Sequence, residues 1–462
     1  PTTGEVIFFA EADNGLRLEI DGQVVIDGLG RGEARSGKAS LVAGRKVPIQ
    51  VDYFQDGDPS YLRLYWSWSG QERVPVDPAA LSYDAEDETR VMEALPEDYW
   101  PPDEAPLRAT AEGGEWLDLS YQDGRLAPVV GVENRQVFRA NREHPELAGE
   151  LPFTYNHAPM LAWWNGRFYL EFLAAPRDEH QDPTPTLLTS SIDGRRWSAP
   201  RVIFPAFTPE GDDHQTIAHQ RMGFYVPPDG ERLLVVAFYG RWPSPNEGLG
   251  IGRVVREVGK DGRLGPIYFI RYNRHAGWDE TNTPHPFFRT SPDAGFVEAC
   301  EALLADKLVV QQWWEEDRSP DGFYRLGGEG FEGKAFSWYT RADGVVVGLW
   351  KAGYAASSSD GGRTWSERKK LPSIVVGHAK MWGQQTEDGR YAFVYNPHFE
   401  WRYPLVVTTG DDGRVFSNMT CVHGELPPRR YDGDAKDVGP QYVRGITQGN
   451  GNPPGSDMWL TY

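Results

Sequence analysis

The sequence predicts an all-β molecule in which a small β-sandwich precedes a six-bladed β-propeller, with seven blades as the alternative. Three observations predict it. Residues 1–83 alternate apolar and polar in the period of strands, and no helical period competes. From about residue 116 onward one phrase, a short strand, a tight turn and an apolar strand, returns again and again. A second turn, built on Asp, Gly and an aromatic residue, returns at the same point of that phrase.

The bulk composition agrees. The 462 residues suffice for one large all-β domain and a smaller one. Aromatic residues make up 13 %, with Trp 17, Tyr 21 and Phe 21, a supply that suits both strands and the apolar faces of sugars. A net charge of −20 leaves no cationic footprint for nucleic acid, although a few gathered arginines can still hold an anionic sugar. Cys300 and Cys421 are the two cysteines, too few for a disulfide framework, and they read as buried thiols. No apolar run is long enough to span a membrane. The first residues run straight into strand pattern and the last ones end in it, so both ends read as cut within domains, and no leader assigns a compartment.

In residues 1–83 the strands read as Val6-Ile7-Phe8-Phe9, Leu16 to Ile20, Val47 to Phe54 and Leu62 to Trp66. Asn14-Gly15 and Asp21-Gly22 supply the turns, where a positive φ is needed. The order Gly4-Glu5-Val6-Ile7-Phe8, Glu11 to Gly15, Ile20-Asp21-Gly22, Ala43-Gly44, Val51-Asp52-Tyr53-Phe54 and Leu64-Tyr65-Trp66 resembles the C-terminal part of a PA14 domain. That family is a β-sandwich often attached to glycosidases and adhesins. Some lectin members hold calcium through paired aspartates; here Asp13 is followed by Asn14, which points to a structural accessory role. Residues 84–115 are acidic and proline-rich and read as a linker, leaving 116–462 to the propeller.

The phrase of that second domain runs from His157 through Asn165-Gly166 to Phe172, from His219 through Asp229-Gly230 to Phe238, and from Ala299 to Val310. It returns from Phe336 through Asp343-Gly344 to Trp350, and from His378 through Asp388-Gly389 to Tyr395. Phe296, Cys300 and Leu304 are spaced by four, as in a helix, but agreement with the other copies assigns the third copy to strands. Residues 116–140 and 440–462 supply partial units that join to close the ring. The second turn occurs as Ser191 to Trp197, Ser358 to Trp365 and Thr409 to Phe416, where Asp and hydroxyl satisfy backbone N–H groups. These turns resemble the Asp-box of sialidase-like propellers, in which they are structural. Repeats of roughly 40–60 residues with a few short strands each mean a propeller, which closes on itself and so exposes no sheet edge.

Innermost strands begin around a shared mouth, and His157, His219 and His378 occupy the same place in three units. Asn156, Gln220, Arg221, Glu301, Trp338 and Lys380 lie near them in the repeat, and Arg402 follows the end of a second strand. The last unit adds Gln441, Tyr442 and Arg444. The acidic pairs Asp178-Glu179, Asp212-Asp213 and Glu315-Glu316 fall in loops and read as solvated surface.

Tyr155-Asn156-His157-Ala158-Pro159, the strand from Asn165 to Tyr169 and the turn after it are similar to β-propeller polysaccharide lyases and rhamnosyl-glucuronate-cleaving enzymes. Sialidases share the blade pattern but carry an Arg-Ile-Pro segment that is absent here. The lyase resemblance implies a secreted, periplasmic or cell-surface enzyme that cleaves a uronate-containing poly- or oligosaccharide by β-elimination. An exo-acting glycoside hydrolase and a non-catalytic glycan binder are the alternatives. It implies His157 as the base and His219 or Tyr442 as the acid, with Arg221 and Arg444 on the carboxylate. Asn156, Gln220, Glu301, His378, Lys380, Arg402 and Gln441 would line the sugar, and Trp338 would stack on a ring. In some lyases a second histidine follows the first by about twenty residues, and His180 is the loose counterpart here. An imidazole with a pKa of about 6.5 is a competent base at neutral pH. A guanidinium stabilises charge developing on a carboxylate. No cofactor motif is present; a structural calcium ion on loop carboxylates is compatible with the sequence, and no metal ligands are assigned.

Overall fold

The structure, a computed structural model, describes residues 2–13, 15–28, 35–54, 61–82, 106–109, 117–139, 151, 153–219, 222–245, 248–312, 335–371, 373–377, 379–398, 401–426, 439–447, 453, 455 and 457–462. The chain divides into two compact units, Pro1–Pro102 and Asp103–Tyr462.

The first unit is two antiparallel sheets. β1 (Gly4–Asp13), β4 (Arg35–Leu41), β6 (Tyr61–Trp68) and β7 (Gln71–Pro75) form one in the order β4-β1-β6-β7. β2 (Gly15–Ile20), β3 (Gln23–Gly28) and β5 (Ile49–Phe54) form the other, β3-β2-β5. Alternate residues Val6, Phe8 and Ala10 from one sheet meet Leu16, Leu18 and Ile20 from the other, with Ile26 and Trp66. This is the period-2 pattern of a sandwich core. The Asp13 side chain and Asn14 lie outside the described residues.

The second unit begins, within the predicted linker, with β8 (Arg108–Ala109), while Leu107 is buried beside it. The first sheet has the order β12-β11-β10-β9, from β9 (Tyr155–Trp164), β10 (Arg167–Ala175), β11 (Thr186–Ser191) and β12 (Arg201–Phe204). The second combines β13 (Ile217–Ala218) and β14 (Gly223–Tyr225), both on β15 (Leu233–Gly240), with β16 (Gly250–Val258) and β17 (Tyr268–Tyr272). The third is β18 (Ser337–Thr340), β19 (Val346–Trp350), β20 (Tyr354–Ser358) and β21 (Lys369–Lys370) in chain order. The fourth is β22 (Trp382–Gln385), β23 (Tyr391–Tyr395), β24 (Leu405–Gly410) and β25 (Val415–His423), to which β8 adds in parallel. β26 (Arg444–Gly445) and β27 (Leu460–Thr461) make a two-stranded pair.

Apolar cores lie between successive sheets. Met160 and Tyr169 of the first meet Phe224 and Val235 of the second. Leu234 and Ile270 of the second meet Trp338 and Trp350 of the third, and Tyr339 and Leu349 of the third meet Phe393 and Tyr395 of the fourth. The β26–β27 segment joins the fourth sheet to the first: Val443 and Leu460 pack with Trp382 and Leu405, and Ile446 and Trp459 pack with Leu161 and Phe168. Gly445 is needed there, because a Cβ would lie 2.4 Å from the Trp382 indole nitrogen.

One of the predicted repeats is overturned. Residues 299–310 lie in the helices Ala294–Ala305 and Lys307–Gln312 rather than strands. Asp293 caps the first by accepting from Phe296 N–H, and Phe296, Cys300 and Leu303 turn one face to the core between the second and third sheets. The four-residue spacing was the physical signal, and the likeness to other copies was not. Among the described residues of the second unit there are therefore four large sheets and one pair, where the repeats lead to six blades. Both cysteines are free and buried.

The three recurring turns share a bonding plan. Ser191 Oγ accepts from the N–H groups of Asp193 and Gly194, and Asp193 Oδ1 accepts from those of Arg195 and Arg196. Ser358 and Asp360 repeat this with Gly362, Arg363 and Thr364, and Asp412 accepts from Arg414 and Val415.

Candidate functional site

Each large sheet of the second unit starts its first strand at the same end at which its second strand finishes. His157, opening β9, stands opposite Leu173 near the end of β10; Trp382, opening β22, stands opposite Val394 near the end of β23. The first-strand starts and the connections from second to third strand therefore gather at one end of the ring. Tyr155, His157, His219 and Lys380 come from the starts. Asp178, Glu179 and His180 come from the connection after β10, Lys351 from that after β19, and Arg402 from that after β23. Gln441, Tyr442 and Arg444 lead into β26.

At the centre is Tyr442, buried and with φ of +64°. Lys351 Nζ donates to its hydroxyl at 2.6 Å. The Nζ atoms of Lys351 and Lys380 both lie 4.7 Å from its ring centre, and the Arg402 guanidinium lies 5.2 Å from it. Arg402 also donates to Gln441 Oε1. The His157 ring stands 4.4 Å from the Tyr442 ring. Beyond it, Glu179 Oε1 is 3.8 Å from His157 Nε2 and 4.0 Å from His219 Nε2. The His180 ring is 5.5 Å from that of His219. Tyr155, 5.7 Å from His157, has its phenol pushed well above the usual range, first by burial and then by the Glu179 carboxylate. One wall of the site is thus cationic and aromatic, and the other is a carboxylate among imidazoles. Lys380, Arg402 and Arg444 are all buried, and buried cations of this number attract an anion.

Of the predicted site residues, His157, His219, Lys380, Arg402, Gln441 and Tyr442 are brought together. Arg444 is buried on β26 two residues past Tyr442, and Asn156 is half-buried on β9 beside His157. Gln220, Arg221 and His378 lie outside the described residues. Glu301 is elsewhere: it projects from the helix Ala294–Ala305 and pairs with Arg289 at the surface, 2.7 Å away. That displacement follows from the third repeat being helical. Trp338 is buried against Phe336 in the core between the second and third sheets, with no ring face free for a sugar.

Sequence reasoning missed Glu179 and Lys351. An acidic pair in a loop is expected to be solvated, yet the Glu179 side chain is 7 % exposed. The rule that selected Arg402, its place just after a second strand, applies equally to Glu179 and would have found it. The exposed aromatic faces also differ from those expected. Trp242, 44 % exposed, stacks on His214 at 4.1 Å, and Trp401, 41 % exposed, stacks on His398 at 5.2 Å. Each is on a second-to-third-strand connection, with a histidine behind one face.

Residues 1–80 match the PA14 domain model, and residues 108–330 match that of a BT_1020-like, N-terminal β-propeller. A PA14 domain precedes a β-propeller. The PA14 domain is similar to part of the anti-sigma-I factor RsgI3 of Acetivibrio thermocellus, 35 % identical over 77 residues, which are 16 % of this chain and 12 % of that protein. The chain is similar over 77 % of its length to a solved structure named sialidase, with 45 % identity and a TM-score of 0.71. It spans 34 % of that structure's length. Among the described residues no helix is long and apolar enough to cross a membrane.

Proposed function

We propose that the propeller is a carbohydrate-active enzyme that binds an acidic sugar at the site and hydrolyses the bond joining it to a glycan. The observation that carries this reading is the Tyr442 phenol, ringed by Lys351, Lys380 and Arg402 and faced by His157. Fixed cations already in place would hold the sugar carboxylate and stabilise charge where it develops, at no cost of reorganisation. Hydrolysis of a glycoside needs a nucleophile or activated water at the anomeric carbon and a proton for the leaving oxygen, and tyrosine is one of the known nucleophiles. Tyr442, with Lys351 against its oxygen, takes the first role here: it gives its proton to His157 as its oxygen bonds the anomeric carbon and the bond to the leaving oxygen breaks, and water then cleaves the glycosyl–tyrosine bond and restores the phenol. His157 carries the proton, with Glu179 as its carboxylate partner on the far side. Arg444 adds positive charge beside them. Trp242 and Trp401 offer open ring faces for further sugars. The similarity to a structure named sialidase supports an acidic substrate.

Elimination is the second reading, favoured by the same closeness of His157 to Tyr442, which suits removal of a proton beside a carboxylate. The deciding experiment incubates the protein with a panel of sialosides and uronate-ended oligosaccharides. Hydrolysis releases a free acidic sugar and a new hydroxyl on the remainder, with no change in ultraviolet absorbance. Elimination gives an unsaturated uronate that absorbs in the ultraviolet. Binding by calorimetry without either product would make the protein a glycan binder and end the enzymatic reading.

A further inference from the structure

We propose that Glu179, His180 and His219 form a binding site for a divalent transition-metal ion of the zinc class. The inference stands apart from the hydrolytic reading, because the ion is measured without turnover.

One ligand atom from each of the three residues lies within 4.8 Å of the others. The separations within the group carry the argument. Glu179 Oε1 is 4.0 Å from His219 Nε2, and the neighbouring His157 Nε2 is 3.8 Å from the same oxygen. A direct hydrogen bond would draw such atoms to about 2.7–3.2 Å. Two ligands bonded at about 2.1 Å to one ion stand about 3–4 Å apart. His219 faces the carboxylate at the spacing of a shared ion rather than that of a direct hydrogen bond. A second, independent observation comes from His180. Its Nε2 is buried with no hydrogen-bond partner, a condition that is costly for a ring nitrogen and that a bound ion relieves. The backbone contributes as well. His180 holds φ of +63°, a conformation non-glycine residues adopt at a cost, and His180 and Glu179 together face His219 from the next sheet.

The donor set selects the ion. Two imidazoles and one carboxylate suit zinc, cobalt, nickel or manganese, whereas calcium and magnesium prefer oxygen donors throughout. Three protein ligands also leave a coordination position open, as in catalytic rather than structural zinc sites. A water or a sugar oxygen would fill that position.

The test uses the whole chain, stripped with a chelator and dialysed. Titration with Zn²⁺ in a calorimeter should show stoichiometric binding, with a rise in melting temperature at saturation. Co²⁺ should give a visible absorption band. Glu179→Gln, which preserves shape, and His180→Ala should each weaken Zn²⁺ binding by about 100-fold or more and abolish the Co²⁺ band. His423→Ala, away from the site, should bind as the parent does. Each variant is checked by its circular dichroism and its melting in chelator, so that a lost fold is told from a lost ligand. Absence of heat, band and melting shift with Zn²⁺, Co²⁺, Ni²⁺ and Mn²⁺ would overturn the proposal. Parent-like binding by both Glu179→Gln and His180→Ala would overturn it too. Stoichiometric metal binding with no hydrolysis of any glycan in the panel would strike only the enzymatic reading.

Discussion

His157 stands between two environments of opposite character, the Glu179 carboxylate on one side and the cation-ringed Tyr442 on the other. On the proposed reading His157 passes the proton between these two sides. His157→Ala should lower kcat by about 10²–10⁴-fold, the usual worth of a positioned proton-transfer group. Tyr442→Phe should abolish turnover while leaving a substrate's dissociation constant nearly unchanged, because the ring and its surrounding cations remain. Steady-state kinetics and calorimetry on the two variants check both. A different residue, Glu171, is fully buried on β10, where burial pushes its carboxyl well above the usual carboxylate range and the Gly223 N–H opposes that. The folded state then binds this proton more tightly than the unfolded chain does. Its contribution is therefore most favourable below the unfolded pKa of about 4.3 and is lost as pH rises toward the folded value. Glu171→Gln should raise the melting temperature at neutral pH and bring no gain in mild acid; scans across pH decide it. Two residues that the structure gathers, His157 and His219, were legible because they share a place in the repeat. Glu179 was not, because acidic pairs in loops are ordinarily solvated and nothing in its neighbours marks burial.

At the scale of elements, the recurring turns act as latches at the outer edges of the sheets. Asp193 and Asp360 are each held down to about 2, Asp193 mainly by the N–H groups of Arg196 and Arg195, and Asp360 mainly by the Thr364 hydroxyl and N–H. Their unfolded value is about 3.9, so the stability they contribute is complete above that pH and is lost as pH falls toward 2. A double variant, Asp193→Asn with Asp360→Asn, should flatten the decline of melting temperature across that window. An unchanged acid limb would show that these turns do not report on folding. These turns were legible because their chemistry is local: a hydroxyl, an aspartate and a glycine within five positions fix the backbone. The helix Ala294–Ala305 was misread for the opposite reason. Its period and its Asp293 cap were both present, but likeness to distant repeats was allowed to outweigh them. Where a local signal and a long-range analogy disagree, the hydrogen bonds of the segment itself are the better guide.

At the scale of the whole molecule, the propeller's first and fourth sheets meet through a short bridge. Phe168 of the first sheet lies 4.4 Å from Trp459 and 4.6 Å from Trp163, ring centre to ring centre, and is 2 % exposed. Phe168→Ala should cost about 3–5 kcal/mol by opening a cavity at this join. Hydrogen exchange should then rise at 444–446 and 460–461 more than in the second and third sheets. Uniform exchange throughout would mean that the join is no weaker than the rest. The sandwich, the sheet-rich ring and its closure by residues 440–462 were readable from period and repetition. The number of blades was not, since it rests on counting copies and one copy is helical.

The same bridge carries Tyr442 and Arg444. A chain leaving the ribosome can complete three sheets, and even the fourth, while the place for substrate still lacks its central phenol. Only when Val443, Ile446, Trp459 and Leu460 have emerged and docked does the first-made sheet receive its last neighbour, and in that step Tyr442 takes its place at the candidate site. On the proposed reading, competence therefore arrives late and all at once, with the docking of a single short segment.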